Sequence, residues 1–483
     1  MKKTGRNILI MLLVLLVLGG VSAWLFLVPS QEEAENSSSA PSSQVSSAAG
    51  ETLVELKAED VTSISVKNQE DSFQFVSQGE DFSLEGYEDC DLNTTMISSS
   101  VGNLLSMTAS KNLGSQEDLK EFGLSGEAAV EVEISRKDGT KEKLTLGGKA
   151  GESAGRYVLK DGTVYIVASI SEQLYGGKFE YFSSYLYSVA ERTSVVTAED
   201  GTESTETLPD ILYSLKLSGT NYPEPVEIKY DESVTSGYLM TAPVKAESGS
   251  NGLTTLSEGV KAPTALGVAA VHLTDELLEE YGLLEPAARI EFTLNADTHT
   301  MSVSKADPDG NRYLLLDDRD VVYRVAKSAV ESWAEIPLLK LRMSYIWLSN
   351  IKDVKKLSLT ANGTDYRFDM TRTLNEEQST EDSPQYDLAV KNAAGKEISY
   401  DDYRSFYQDL ISVAVLSTET TEFFGTPLFR VSYGYFDNSE ENVIEFYPAE
   451  NDRCVAVLNG EFNGVVRKSE VEKLASRLAE VHG

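Results

Sequence analysis

Gly151-Glu152-Ser153-Ala154-Gly155 fits the G-x-S-x-G pattern of a hydrolase nucleophile. That chemistry needs the serine on a tight strand-to-helix turn, with an acid and then a histidine downstream. The text at 156–167 reads instead as a β-hairpin, so the segment is expected to be a loop and no catalytic residue is assigned. Asp307-Pro308-Asp309-Gly310-Asn311 has the outline of a calcium loop but lacks the third ligand position and the closing glutamate, which makes it a hairpin turn. Carboxylates also gather at Glu88-Asp89 with Asp91 and at Asp317-Asp318 with Asp320, where they could hold a cation or simply face water. His272, His299 and His482 are the only imidazoles, and neither His272 nor His299 has a second His or a Cys at ligand spacing, so no metal site is expected. Phosphate loops, dinucleotide fingerprints and H-E-x-x-H helices do not occur, and no cofactor is expected. Tyr181, Phe182, Tyr185 and Tyr187, echoed by Tyr345 and Trp347, read as core rather than as a surface for glycans.

The pattern that recurs is structural. Around Tyr281-Gly282-Leu283, with Pro286 just beyond, an acidic helical turn (275–280) meets an aromatic-Gly-Leu stop and then an alternating strand. Phe122-Gly123-Leu124 repeats this text earlier, and Phe424-Gly425, followed by Thr426 and Pro427, is a worn later copy. A glycine just past a helix end takes the left-handed conformation that closes it, and the following leucine packs back on the last turn. A second equivalence is the hairpin that opens with Arg156-Tyr157 in one copy and Arg312-Tyr313 in the next.

At 483 residues the chain has room for about three domains, which agrees with three copies of the motif. The formal net charge of −35 argues against nucleic acid as a partner, since that contact needs clustered Lys and Arg. The two cysteines, Cys90 and Cys454, sit at unrelated places in the copies and read as packed thiols rather than a disulfide.

Lys2, Lys3 and Arg6 precede an uncharged apolar run at 8–28, and Glu32, Glu33 and Glu35 follow it. Such a run is long enough for one transmembrane helix, with the N-terminus cytoplasmic and the bulk of the chain extracytoplasmic. Val21-Ser22-Ala23 offers a signal-peptidase site, but the apolar run continues beyond it through Val28, which favours an uncleaved single-pass anchor in the cell membrane. The expected organisation is a cytoplasmic tip and anchor at 1–29, then a Ser/Ala-rich stalk at 30–52. Repeat 1 at 53–188, a linker at 189–207, repeat 2 at 208–349 and repeat 3 at 350–483 follow. In the first repeat, strands with period-two alternation precede an amphipathic helix at 93–107; 253–266 and 400–413 occupy the helix slot of the second and third repeats, and a late hairpin follows in each. The expected fold class is therefore α+β: three tandem copies of a small antiparallel sheet plus helix.

With these copies and the acidic helix ending in Tyr/Phe-Gly-Leu near a proline, the chain resembles the domain-of-unknown-function family 4340. Tyr281-Gly282-Leu283 with Pro286 and Arg312-Tyr313 carry the likeness best; the first copy lacks the proline and the third has Thr426 in place of leucine. The resemblance implies a non-enzymatic extracytoplasmic accessory or scaffold protein. It implies ABC-type transport subunits of the gliding-motility-auxiliary kind as partners. A glycan- or ligand-binding module and an envelope serine hydrolase are the alternatives.

Overall fold

A computed structural model describes residues 50–151, 155–197, 202–249, 251–377, 379–380 and 385–482. The first unit begins with strands β1 (Glu51–Glu55), β2 (Val61–Lys67), β3 (Ser72–Gln78) and β4 (Asp81–Leu84). Helix α1 (Thr94–Leu105) leads into β5 (Ser106–Gly114), and β6 (Val130–Arg136), β7 (Lys141–Lys149), β8 (Arg156–Lys160) and β9 (Thr163–Val167) complete the unit. They form one nine-stranded sheet in the order β1-β5-β9-β8-β7-β6-β2-β3-β4, every neighbour antiparallel. Two meanders are thus joined through their first strands, β2 and β6.

The second unit repeats this plan. A small hairpin, β10 (Thr193–Thr197) with β11 (Glu203–Thr207), stands before it. Strands β12 (Leu212–Gly219), β13 (Tyr222–Tyr230), β14 (Tyr238–Ala242) and β15 (Ala246–Ser248) make the first meander. After α2 (Asn251–Lys261) come β16 (Gly267–Val271), the short α3 (Asp275–Glu280), and β17 (Ala288–Leu294), β18 (Asp297–Val303), β19 (Arg312–Leu316) and β20 (Val321–Val325). The sheet order is β15-β14-β13-β12-β17-β18-β19-β20-β16. Short helices α4 (Glu331–Ala334) and α5 (Leu338–Leu341) close the unit. The third unit has β21 (Val354–Ala361), β22 (Thr364–Leu374), β23 (Tyr386–Asn392) and β24 (Glu397–Ile398), then α6 (Tyr400–Ile411). It ends with β25 (Phe429–Tyr435), β26 (Asn442–Ala449), β27 (Arg453–Leu458), β28 (Glu461–Arg467) and α7 (Lys468–His482), in the sheet order β24-β23-β22-β21-β25-β26-β27-β28.

This corrects the α+β expectation: the chain is mostly β, built on three large antiparallel sheets. The helices are few and short, and α1, α2 and α6 each cover part of one sheet face rather than forming a layer. Two strands escape sequence reading. After α1 and α2 the chain goes directly into β5 and β16, each pairing with the last strand of its late meander. In the third unit 416–417 takes that place through an isolated bridge between Ser417 and Val465. β1 begins within the stretch expected to be stalk, and the expected linker carries the β10–β11 hairpin.

The expected N-terminal transmembrane helix and the single-pass cell-membrane placement are corrected as well. Among the described residues no helix is long and apolar enough to cross a membrane, and 8–28 lies outside the described residues.

Alternation dictates the cores. Ile64 and Val66 on β2 face the same side as Phe75 on β3 and Val132 and Ile134 on β6, all buried, and α1 places Ile97, Val101 and Leu104 over them. Asn93 caps α1, its side chain accepting from the Met96 N–H at 3.1 Å. Tyr181 closes this core, fully buried, its ring edge-on to Phe75 with centroids 5.0 Å apart.

The units share their cores. Tyr187 and Val189, from the end of the first unit, sit in the core of the second, where the Tyr187 hydroxyl donates to the Val260 carbonyl at 2.7 Å. Between the second and third units Arg342 is 1% exposed. Its guanidinium donates to the Asn463 carbonyl at 2.5 Å, the Asn463 side-chain oxygen at 2.9 Å and the Tyr345 carbonyl at 3.1 Å. Asn463 in turn donates to the Lys245 carbonyl at 2.6 Å. Burial pulls the Arg342 pKa down to about 10, so it stays charged at neutral pH. Arg342→Met leaves these acceptors unpaired in a dry joint and is expected to cost about 2–4 kcal/mol, read as a lower urea midpoint.

A second test concerns Glu142 on β7, which takes hydrogen bonds from Arg136 and Lys160. Burial works to raise its carboxyl pKa, and the hydrogen bonds from Lys160 and Arg136 outweigh it, holding the group below its usual range. A depressed carboxylate contributes stability above its unfolded pKa of about 4.5 that disappears as pH falls through the folded value. Glu142→Gln is expected to destabilise by about 1–3 kcal/mol at pH 7. The gap to the parent should close in unfolding titrations below pH ~4.5.

Candidate functional site

The aromatic-Gly-Leu stops are built alike in the first two units. Gly123 and Gly282 have φ of +67° and +66°. The Leu124 N–H donates to the Leu119 carbonyl at 3.0 Å, and the Leu283 N–H to that of Leu278 at 2.7 Å, the six-to-one bond of a Schellman closure. Leu124 and Leu283 are buried beneath the stop. In the second copy it ends a real helix, α3, capped by Thr274; in the first, 118–121 forms turns only.

The preceding aromatic meets the tyrosine of the Arg-Tyr hairpin. Phe122 lies edge-on to Tyr157 with centroids 4.9 Å apart, and Tyr281 to Tyr313 at 4.6 Å. Beside each tyrosine the arginine binds a glutamate of the closing segment and a carbonyl at the end of the facing strand. Arg156 pairs with Glu172 and donates to the Gly147 carbonyl at 3.3 Å; Arg312 pairs with Glu335 and donates to that of Ser304 at 3.4 Å. Arg156 also lies over the Tyr175 ring, 3.7 Å from its centroid. Pro286 stands at the head of β17, where its carbonyl accepts the Thr220 N–H at 3.1 Å and ties the β12–β13 turn down. These recurring residues lock each late hairpin to its closing segment.

The third copy departs from this. Gly425 keeps a φ of +71°, but the loop pairs with the C-terminal end of β26, with Phe423 bridged to Ala449 and the Phe424 N–H bonded to the Pro448 carbonyl at 3.0 Å. Phe423 leans on Tyr447 at 4.8 Å between centroids, yet Phe423 and Phe424 remain 45% and 52% exposed.

The other sequence candidates resolve simply. Ser153 lies outside the described residues, and the chain beyond it is β8, a strand where a nucleophile turn needs a helix. Asp307 closes a turn, its carboxylate accepting from the Asp309 and Asn311 N–H groups at 3.0 and 2.8 Å. Asp317 binds His299 at 3.0 Å, and His299 stacks on Tyr187. Tyr181, Phe182 and Tyr187 are core; Tyr185 alone of that group is exposed.

One constellation with chemistry was not visible in the sequence. Asp89 and Cys90, in the loop between β4 and α1, meet His272, in the loop after β16, across a separation of 182 residues. Cys90 Sγ lies 3.5 Å from His272 Nε2 and 3.8 Å from Asp89 Oδ1, and His272 Nε2 lies 3.4 Å from Asp89 Oδ1. His272 has a φ of +55°, a left-handed conformation uncommon for a residue with a side chain. Asp320 fixes the next residue by accepting the Leu273 N–H at 2.6 Å, and Tyr87 lies parallel to the imidazole, centroids 5.7 Å apart. A cavity of about 440 Å³ opens here, bordered also by Asp91, Arg319 and Tyr323. Burial and the carboxylates of Asp89, Asp320 and Glu88 push the Cys90 thiol up to about 11.

No family model, curated protein or solved structure matches this chain. Glu88, Asp89, Asp91 and Asp320 were readable as carboxylates near turns. What linear spacing could not supply was the histidine's approach from the second unit.

The stops give a graded test. A Cβ on Gly123 would lie 2.8 Å from the Gly148 backbone nitrogen, whereas one on Gly282 meets nothing closer than 3.6 Å. Gly282→Ala is expected to cost about 1–2 kcal/mol for the left-handed backbone alone, and Gly123→Ala more than that, measured by chemical denaturation.

Proposed function

We propose that this protein is a non-enzymatic accessory or scaffold protein that docks on a protein partner through the Phe423–Phe424 loop of its third unit. The observation that carries the reading is the contrast between copies. The signature aromatics of the first two units are spent on Tyr157 and Tyr313, while the third presents two adjacent phenylalanines, each about half exposed, on a loop bridged to the end of β26. Loops held by a rigid scaffold are where recognition residues concentrate, and large aromatics are favoured anchors in interfaces. Shared cores between units favour a stiff array over beads on a string, which suits a scaffold.

Exposed Glu419 and Glu422 flank the pair, so the complementary surface is an apolar pocket with a basic rim. Subunits of an ABC-type transport complex are the partner class that the family resemblance implies. The test is crosslinking in the native cell, followed by purification and mass spectrometry, comparing the parent with Phe423→Ala/Phe424→Ala. Loss of specific partner proteins by the double variant, at unchanged thermal stability, is the expected outcome. Equal recovery by both, or recovery of no protein by the parent, sinks the reading.

A further inference from the structure

We propose that Asp89, Cys90 and His272 form a zinc-class metal site that joins the first unit to the second. The inference is independent of partner docking and uses neither the third unit nor its loop.

Three observations carry it. The first is the donor set: thiolate sulfur, imidazole nitrogen and carboxylate oxygen are the three ligand types zinc takes from proteins. The second is spacing. A zinc ion at its usual bond lengths sets the S···N, N···O and S···O edges of its tetrahedron at about 3.6, 3.4 and 3.6 Å. The corresponding separations are 3.5, 3.4 and 3.8 Å, so one ion reaches all three atoms without moving any backbone. Third is the effort spent on holding the histidine. A left-handed φ at His272 is sterically costly, and strain of this kind persists where the surroundings over-determine it and clusters at functional sites. The Asp320 bond to the adjacent N–H and the parallel Tyr87 ring do that holding.

Electrostatics point the same way. Glu88, Asp89, Asp91 and Asp320 surround the thiol and the cavity, against the single guanidinium of Arg319. That guanidinium is occupied, donating to the Tyr185 and Leu186 carbonyls at 3.0 and 2.7 Å and to the Tyr323 hydroxyl at 3.1 Å. The side chains of Asp89 and His272 are 78% and 47% exposed, so an ion enters from solvent. Three protein ligands leave a fourth position for water on the cavity side. Binding releases the Cys90 proton to solvent and forms the metal–sulfur, metal–nitrogen and metal–oxygen bonds; nothing is oxidised or reduced.

The experiment uses the full chain with zinc or cobalt(II) as the probe. Calorimetric titration is expected to give one zinc per chain, and cobalt(II) an adduct with a thiolate-to-metal absorption band. Cys90→Ala should abolish that band and weaken zinc binding at least about 100-fold, since it removes a bond to the metal itself. His272→Asn keeps a residue that tolerates left-handed backbone and should weaken binding comparably. Cys454→Ala, altering the buried thiol of the third unit, should bind as the parent does. Thermal melts of the metal-free variants check that each remains folded. Two results overturn the proposal: no saturable binding at micromolar zinc, or binding that Cys90→Ala and His272→Asn leave within about threefold of the parent, which is adventitious surface binding only.

Discussion

Each unit hangs on one antiparallel pairing, between the first strand of its early meander and the first strand of its late one. A three- or four-stranded meander alone leaves two hydrogen-bonding edges open. Joining β2 to β6, β12 to β17 and β21 to β25 removes one edge from each meander and makes a face broad enough for a helix. The registers coincide. Ile64 faces Ile134 and Val66 faces Val132; Leu215 faces Phe292 and Leu217 faces Ile290; Leu357 faces Tyr433 and Leu359 faces Val431. All twelve are buried. A slip of one residue in any of the three would turn this whole set to the opposite face, so burial specifies the seam strongly.

From that seam the rest of the architecture follows. The late meander ends in a strand that needs a neighbour, and the segment leaving the helix supplies it, as β5 on β9 and β16 on β20. The chain then passes out over the closed sheet, and its leaving segment becomes part of the next unit's core. Tyr187 does this for the second unit. At the following joint Ile346 enters the third core, and Arg342 adds hydrogen bonds to Asn463 on β28. Because each joint is packed on both sides, loops from adjacent units are held at fixed separation. This is what allows Cys90 and His272 to form a defined triangle with Asp89.

Part of the seam was legible in the sequence, since period-two alternation at 61–66 identifies a half-buried strand, and the turn text at 137–140 identifies a hairpin beside it. The helix slot at 400–413 is where α6 forms. What could not be read was set by neighbours far along the chain. Strand β5 has only Met107 and Ala109 turned to the core, too few for a periodic signal, and its strand state comes from pairing with β9. The acidic text at 118–121 matches that of α3, yet it forms turns, and Gly123 after it packs directly against the backbone of Gly147 and Gly148. Likewise Cys90 has no histidine or second cysteine at short spacing, and the left-handed backbone of His272 is invisible in a histidine's letter.

Repetition itself explains where function was hard to see. Residues that recur, such as Arg156 with Arg312 and Gly123 with Gly282, answer a problem every copy has: fastening a late hairpin to its closing segment. A search for repeated text therefore finds the residues that fold the units. The groups left over for recognition are those that break the repetition: the solvent-facing phenylalanines of the third stop, and a thiol and an imidazole lying outside the signature where loops of the first two units meet. In a tandem array built on a common seam, the departures from symmetry are free of the folding constraint, and chemistry can collect in them without weakening any unit.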